Sequence, residues 1–108
     1  MALAVRMVNL YKYLTEEKKE YVLSKQVLRS GTSVGAMVYE SEHSESTSDF
    51  IHKLAIAQKE INETLYWLEL LSRTDYITPK EYDSIRTDAT EVVKLLTSIL
   101  KTTKKQQK

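Results

Sequence analysis

Apolar residues return every three or four positions along almost the whole chain, the spacing of one face of an α-helix. From Ala2 to Leu14 the row is Leu3, Met7, Leu10 and Leu14, broadened by Val5, Val8 and Tyr11. Thr15, Glu16 and Glu17 interrupt it. A threonine before two glutamates suits an N-cap and a first turn, so a second helix is predicted over about residues 17–42. Within it Tyr21, Leu28 and Gly35 lie on one line and Val27, Gly31, Val34 and Val38 on the next, a face wide enough for two neighbours. The polar run from Ser41 to Ser48 reads as the clearest loop. A third helix, about 47–73, opens on Ser46 and Asp49, a capping box with Asp in place of Glu, and carries Phe50, Leu54, Ala57, Ile61, Leu65, Leu68 and Leu71. A fourth, about 79–101, opens on Thr78, Pro79 and Glu81 and carries Tyr82, Ile85, Ala89, Val92, Leu96 and Ile99. Beyond Lys101 the row dissolves, which predicts a frayed basic tail over 101–108. Four amphipathic helices with short connections predict an all-α fold: an antiparallel up-down-up-down four-helix bundle over residues 1–100, with no internal repeat and no domain linker.

The centre of this plan is the second helix. Gly31 and Gly35 are the only glycines in the chain. Each costs a helix interior roughly 0.5–1 kcal/mol against alanine. They lie one turn apart and share a face, with Ser30, Thr32, Ser33 and Ala36 adding small side chains around them. So little bulk lets another backbone approach, and Gly31, Gly35, Ser30 and Val34 are the expected helix-packing residues.

Composition narrows the class. A chain of 108 residues makes one small domain with one core. One proline and two glycines leave few turns, which argues against an all-β fold. No cysteine means no disulfide and no thiolate metal site, as suits a reducing compartment. Met1 to Leu10 is broken by Arg6 and Asn9, too short and too polar for a signal peptide or a membrane span, so a cytoplasmic location and no membrane partner are expected. The net charge of +1 is modest for a nucleic-acid binder. Lys101, Lys104, Lys105 and Lys108 give the tail +4, and removing that from +1 leaves the body at −3.

Candidate chemistry is sparse. Glu40 precedes His43 by three, and Asp49 precedes His52 by three, a spacing that di-metal bundles use. Both pairs fall off the apolar faces, and residues 2–14 hold no Asp or Glu, so solvated helix ends are the expected role. The hydroxyls of Ser41 to Ser48 lack a Walker spacing and a base, and read as turn and cap groups. Tyr66 and Trp67 could stack on bases, but beside a leucine row they read as core edge or subunit interface. Arg6, Lys12, Lys25, Arg29, Lys101, Lys104 and Lys105 are the candidate phosphate contacts, with solvated or pairing roles as the alternative.

Three stretches carry a resemblance. Residues 24–36 read Ser-Lys-Gln-Val-Leu-Arg-Ser-Gly-Thr-Ser-Val-Gly-Ala, residues 49–54 Asp-Phe-Ile-His-Lys-Leu, and residues 59–71 Lys-Glu-Ile-Asn-Glu-Thr-Leu-Tyr-Trp-Leu-Glu-Leu-Leu. Together they resemble the bacterial four-helix-bundle family whose founding members are encoded in intervening sequences of 23S ribosomal RNA. The resemblance implies a small cytoplasmic bundle that forms a homo-oligomer, with a pentameric ring as the expected form. A related branch, the accessory variability protein of diversity-generating retroelements, is a basic ring thought to bind nucleic acid and reverse transcriptase. This chain departs from the family pattern Gly-Ala-Asn-Ile-Ala-Glu, with Met37 where Asn is common and Tyr39 where a small Ala is common.

The expected function is a non-enzymatic, self-associating scaffold or adaptor with no cofactor and no small-molecule substrate. Its motivation is apolar surface beyond one row per helix: Tyr11, Tyr21, Leu28, Tyr66, Trp67, Val93, Leu95 and Leu100. Tyr11, Tyr21, Tyr66 and Trp67 are the candidate oligomer interface. The alternative is a ring-shaped accessory protein that binds RNA or DNA, or a nucleic-acid enzyme.

Overall fold

The computed structural model describes residues 1–106 as four α-helices, and the described residues contain no strand. They are α1 (Ala2–Glu16), α2 (Leu23–Ser41), α3 (Thr47–Arg73) and α4 (Pro79–Gln106). Each runs antiparallel to the one before, an all-α four-helix bundle. No helix among these residues is long and apolar enough to cross a membrane. α2 packs on α1 and α3, α4 packs on α3, and α1 touches α4 only lightly. α1 therefore lies diagonal to α3.

Two of the expected caps hold their helices as the sequence predicts. The Glu81 backbone N–H donates to Thr78 Oγ1 at 3.1 Å, and Glu81 Oε1 accepts from the Thr78 N–H at 2.7 Å. Ser46 Oγ accepts from the Asp49 N–H at 3.0 Å, while the Asp49 carboxylate reaches back to the Glu45 N–H rather than to Ser46.

The first boundary differs. Thr15 is not an N-cap: its hydroxyl donates back to the Tyr11 carbonyl at 2.9 Å, inside α1, which runs on through Glu16. Glu16 and Glu17 therefore end the first helix, and the second starts at Leu23 instead of 17. Its start is held by Glu20, whose carboxylate accepts from the N–H groups of Val22, Leu23 and Ser24 at 3.1, 2.9 and 2.7 Å. Those are the donors that a helix start leaves unpaired. The turn is closed by Lys19 in the left-handed region at φ 55°, and Asp75 at φ 65° closes the α3–α4 turn at the same end.

The tail expectation also changes. α4 continues through Lys101, Lys104 and Lys105 to Gln106, because Thr103 and Ile99 keep a partly covered row beneath them. Residues 107–108, with Lys108, lie outside the described residues.

The core falls into two clusters stacked along a 50 Å long axis. One joins Met7, Leu10 and Leu14 of α1 to Val27, Leu68, Leu71 and Ile85, with Ile77 plugging the turn. The other joins Val34, Leu54, Ala57, Ile61, Ala89, Leu96 and Leu100, and no residue of α1 is buried in it. Among the described residues only Leu3 leans on both. Each buried Leu or Ile contributes about 1.5–3 kcal/mol relative to exposure.

Candidate functional site

α1 has 15 residues and α3 has 27, so α1 stops about 18 Å short of the bundle's length. Where it stops, its slot between α2 and α4 stays open as a groove of about 870 Å³. The walls are α2 from Gly35 to Glu42 and α4 from Val92 to Ile99. Phe50 and Leu54 of α3 form the floor, and Met1, Leu3 and Ala4 close one end. Leu95 stands on one wall 60% exposed, and Tyr39 on the other 66% exposed. Among the described residues, Glu40 and Glu42 are the only charged side chains lining the groove.

The small residues of α2 explain both the packing and the opening. Gly31 is buried under Met7: a Cβ there would sit 2.7 Å from Met7 Sδ and closer still to Met7 Cγ. At Gly35 a Cβ would meet nothing within 4 Å. The two glycines share a face of α2 but not a neighbour, because α1 covers the first and ends before the second. Ser30, on the other side of Gly31, is fully buried against α3, with its Oγ 3.0 Å from Thr64 Oγ1. Val34 is buried in the second cluster. Met37 is half-buried against that cluster, while Tyr39 projects outward and stacks on His43 with ring centroids 5.2 Å apart.

The other expected residues separate into distinct places. Arg6 is engaged within the bundle: its guanidinium donates to Asp88 Oδ2 at 2.6 Å and to the Ser84 carbonyl and hydroxyl at 3.2 and 3.0 Å. Arg29 is bonded to Glu60 at 3.2 Å and to Glu63. Both arginines are paired with carboxylates of the same chain. Lys12 and Lys25 are exposed at the four-helix end, whereas Lys101, Lys104 and Lys105 are exposed on the last turns of α4 at the opposite end. The lysines make two separate groups, not one basic patch.

Of the expected interface residues, Tyr21 and Tyr66 are exposed and Tyr11 is half-buried. Trp67 packs against the first core cluster with Tyr66 edge-on to it, and its buried Nε1 has no hydrogen-bond partner among the described residues. Leu100 is buried and Val93 packs on the second cluster, so neither is surplus surface. Val5 and Val8, expected to widen the core face of α1, point outward instead at 51% and 38% exposure. The buried arc of α1 is narrow because α3 lies diagonal to it and α4 barely touches it. The narrow arc follows from the few neighbours of α1, and the groove with Tyr39 on its wall from its length; periodicity alone reveals neither.

The carboxylate–histidine pairs are placed at the α2–α3 loop. Asp49 forms an ion pair with Lys53 at 3.1 Å. That hydrogen bond, against slight desolvation and with help from the Glu45 N–H, holds the Asp49 carboxyl below its ordinary range. Among the described residues no three His, Cys, Asp or Glu side chains converge as metal ligands would. The loop hydroxyls serve the helix ends: Ser41 Oγ donates to the Val38 carbonyl at 2.6 Å and Ser44 Oγ to the Ser41 carbonyl at 2.7 Å.

Residues 1–98 match the family described as 23S rRNA-intervening sequence protein. The chain belongs to this family. It is also similar to a crystal structure from Bacteroides thetaiotaomicron, described as a protein with unknown function from the S23 ribosomal protein family. That protein is 62% identical, with a TM-score of 0.92 over 93% of each chain. No curated protein matches. Within the 23S rRNA-intervening sequence family, then, this chain has a close structural relative whose own function is described as unknown.

Proposed function

We propose that this member of the 23S rRNA-intervening sequence protein family is a non-enzymatic, self-associating helical scaffold. The observation that carries the reading is the open slot. Leu95, Tyr39 and Val92 line a concave apolar surface on a chain of only 108 residues, and exposed apolar surface of this kind is the mark of an interaction site. The outward valines of α1 add a second such surface. The ring form, a pentamer, is what the family resemblance adds to this reading. Nucleic-acid binding stands second, since both candidate arginines are engaged with carboxylates and the lysines divide between two ends.

Sedimentation velocity across the micromolar range tests the reading. The expected result is a single species several times the mass of one chain. A chain that sediments as a monomer at high micromolar concentration overturns it.

A further inference from the structure

We propose that the open slot is filled by the outer face of α1 from a second copy of this chain, so that each contact joins two different surfaces. The inference rests on the self-association reading and names its joint. Three observations select this occupant.

The first is shape. The slot is concave, and two concave slots cannot fill each other, so a two-fold contact of slot on slot leaves both empty. It begins at the first turn of α1 and lies between the same two helices, so its cross-section suits one more helix.

The second is the row that α1 presents. Val5, Val8 and Lys12 are spaced three and four apart, all exposed on one outward line. The row spans two helical turns, about 10 Å, and the walls Gly35–Glu42 and Val92–Ile99 span the same length. The other large exposed apolar side chains outside the slot do not make such a row: Tyr21 and Val22 sit in the α1–α2 connection, and Tyr66 stands alone on α3.

The third is charge. Among the described residues the slot is lined by Glu40 and Glu42 and by no Lys or Arg. α1 carries Arg6 and Lys12 and no acidic residue before Glu16. Arg6 is held by Asp88, which leaves Lys12 to meet the acidic wall. Because each copy offers a slot at one end and a row on α1, the contact is heterologous: it builds a ring where its rotation closes and an open filament where it does not, and the ring is the form the proposed function takes.

Two variants of the full chain separate the surfaces. Leu95→Glu charges the slot and leaves the α1 row intact; Val8→Glu charges the row and leaves the slot intact. Both sites are exposed, and circular dichroism checks that helix content is kept; Tyr39→Glu and Val5→Glu replace either variant that loses it. Light scattering is expected to show each variant alone as a monomer. Their equimolar mixture is expected to give a dimer and nothing larger, since one intact row meets one intact slot. The chain has no cysteine, so a Val8→Cys chain mixed with a Leu95→Cys chain should oxidise to a disulfide-linked pair faster than either does alone. Variants that keep the wild-type assembly mass, or that stay monomeric when mixed, overturn the proposed joint while leaving self-association in place. A wild-type chain that is itself monomeric overturns the self-association reading and the joint with it.

Discussion

At the end of the bundle built around Met7 and Leu68, four helices enclose the core; at the end built around Val34 and Leu96, three do. The helices α2, α3 and α4 pass through both ends with the same apolar periodicity. The difference is one partner. Gly31 and Gly35 make it plain, since they are the same residue one turn apart on the same helix. Under α1 the first is a close-packing site, and past the end of α1 the second is open backbone. A small residue in a helix thus has no fixed meaning until its neighbour is known.

Substitutions sharpen the contrast, and the largest effect belongs to the enclosed core. Leu68→Ala empties a fully buried site and should cost about 2–5 kcal/mol in a urea melt. Leu95→Ala on the slot wall should change the stability of the single chain by less than about 0.5 kcal/mol. Equal losses at the two sites would break the comparison.

The turn at the four-helix end comes next. Glu20→Ala strips three backbone donors of their acceptor and should cost about 1–2 kcal/mol. Partial burial pushes the Glu20 carboxyl up, but the N–H groups of Leu23, Ser24 and Val22 outweigh it and hold the carboxyl below the usual glutamate value. Because the folded value is the lower one, this contribution is complete above the ordinary glutamate range and is lost as pH falls through the folded value. Urea melts at neutral and acid pH should show the gap between wild type and Glu20→Ala closing in acid. The opposite end turns on the Ser46 hydroxyl, which does not titrate, so the cost of Ser46→Ala should hold steady over the same range.

The glycines should move in opposite directions. Gly31→Ala forces Met7 aside, and overpacking of about 1–3 kcal/mol exceeds the roughly 1 kcal/mol gained in helix propensity. Gly35→Ala meets no atom and should stabilise the single chain by about 0.5–1 kcal/mol. Thermal melts that shift the same way for both would remove the distinction. The smallest effect is expected at Arg29, half exposed between Glu60 and Glu63 on the outside of α2 and α3. Arg29→Ala should cost under about 1 kcal/mol, less still at high salt.

The helix count, the antiparallel order and the starts of α3 and α4 were legible in the sequence, because Ser46 and the Thr78–Glu81 pair use side chains that announce a helix start. The start of α2 was not, because a glutamate before the helix does the work of an Asp or Ser cap. A lysine at φ 55° likewise carries no turn signature. Thr15 misled for a related reason: its hydroxyl can bond back along its own helix as easily as forward into the next. Of the candidate surfaces, Leu95 could be picked out as surplus, but Val5 and Val8 could not. Their exposure depends on how few neighbours α1 has, a property of the assembled bundle.

The pairing of Arg6 with Asp88 joins residues 82 positions apart. During synthesis α1 emerges before the other three helices, and α2 is the neighbour that can receive it until α4 is made. The seat completed by Ile85 and Asp88 arrives only with the last helix. The earliest of the four helices made is therefore among the last to be fully covered, and a ribosome paused before α4 would hold a chain whose α1 apolar row is still wet on one side.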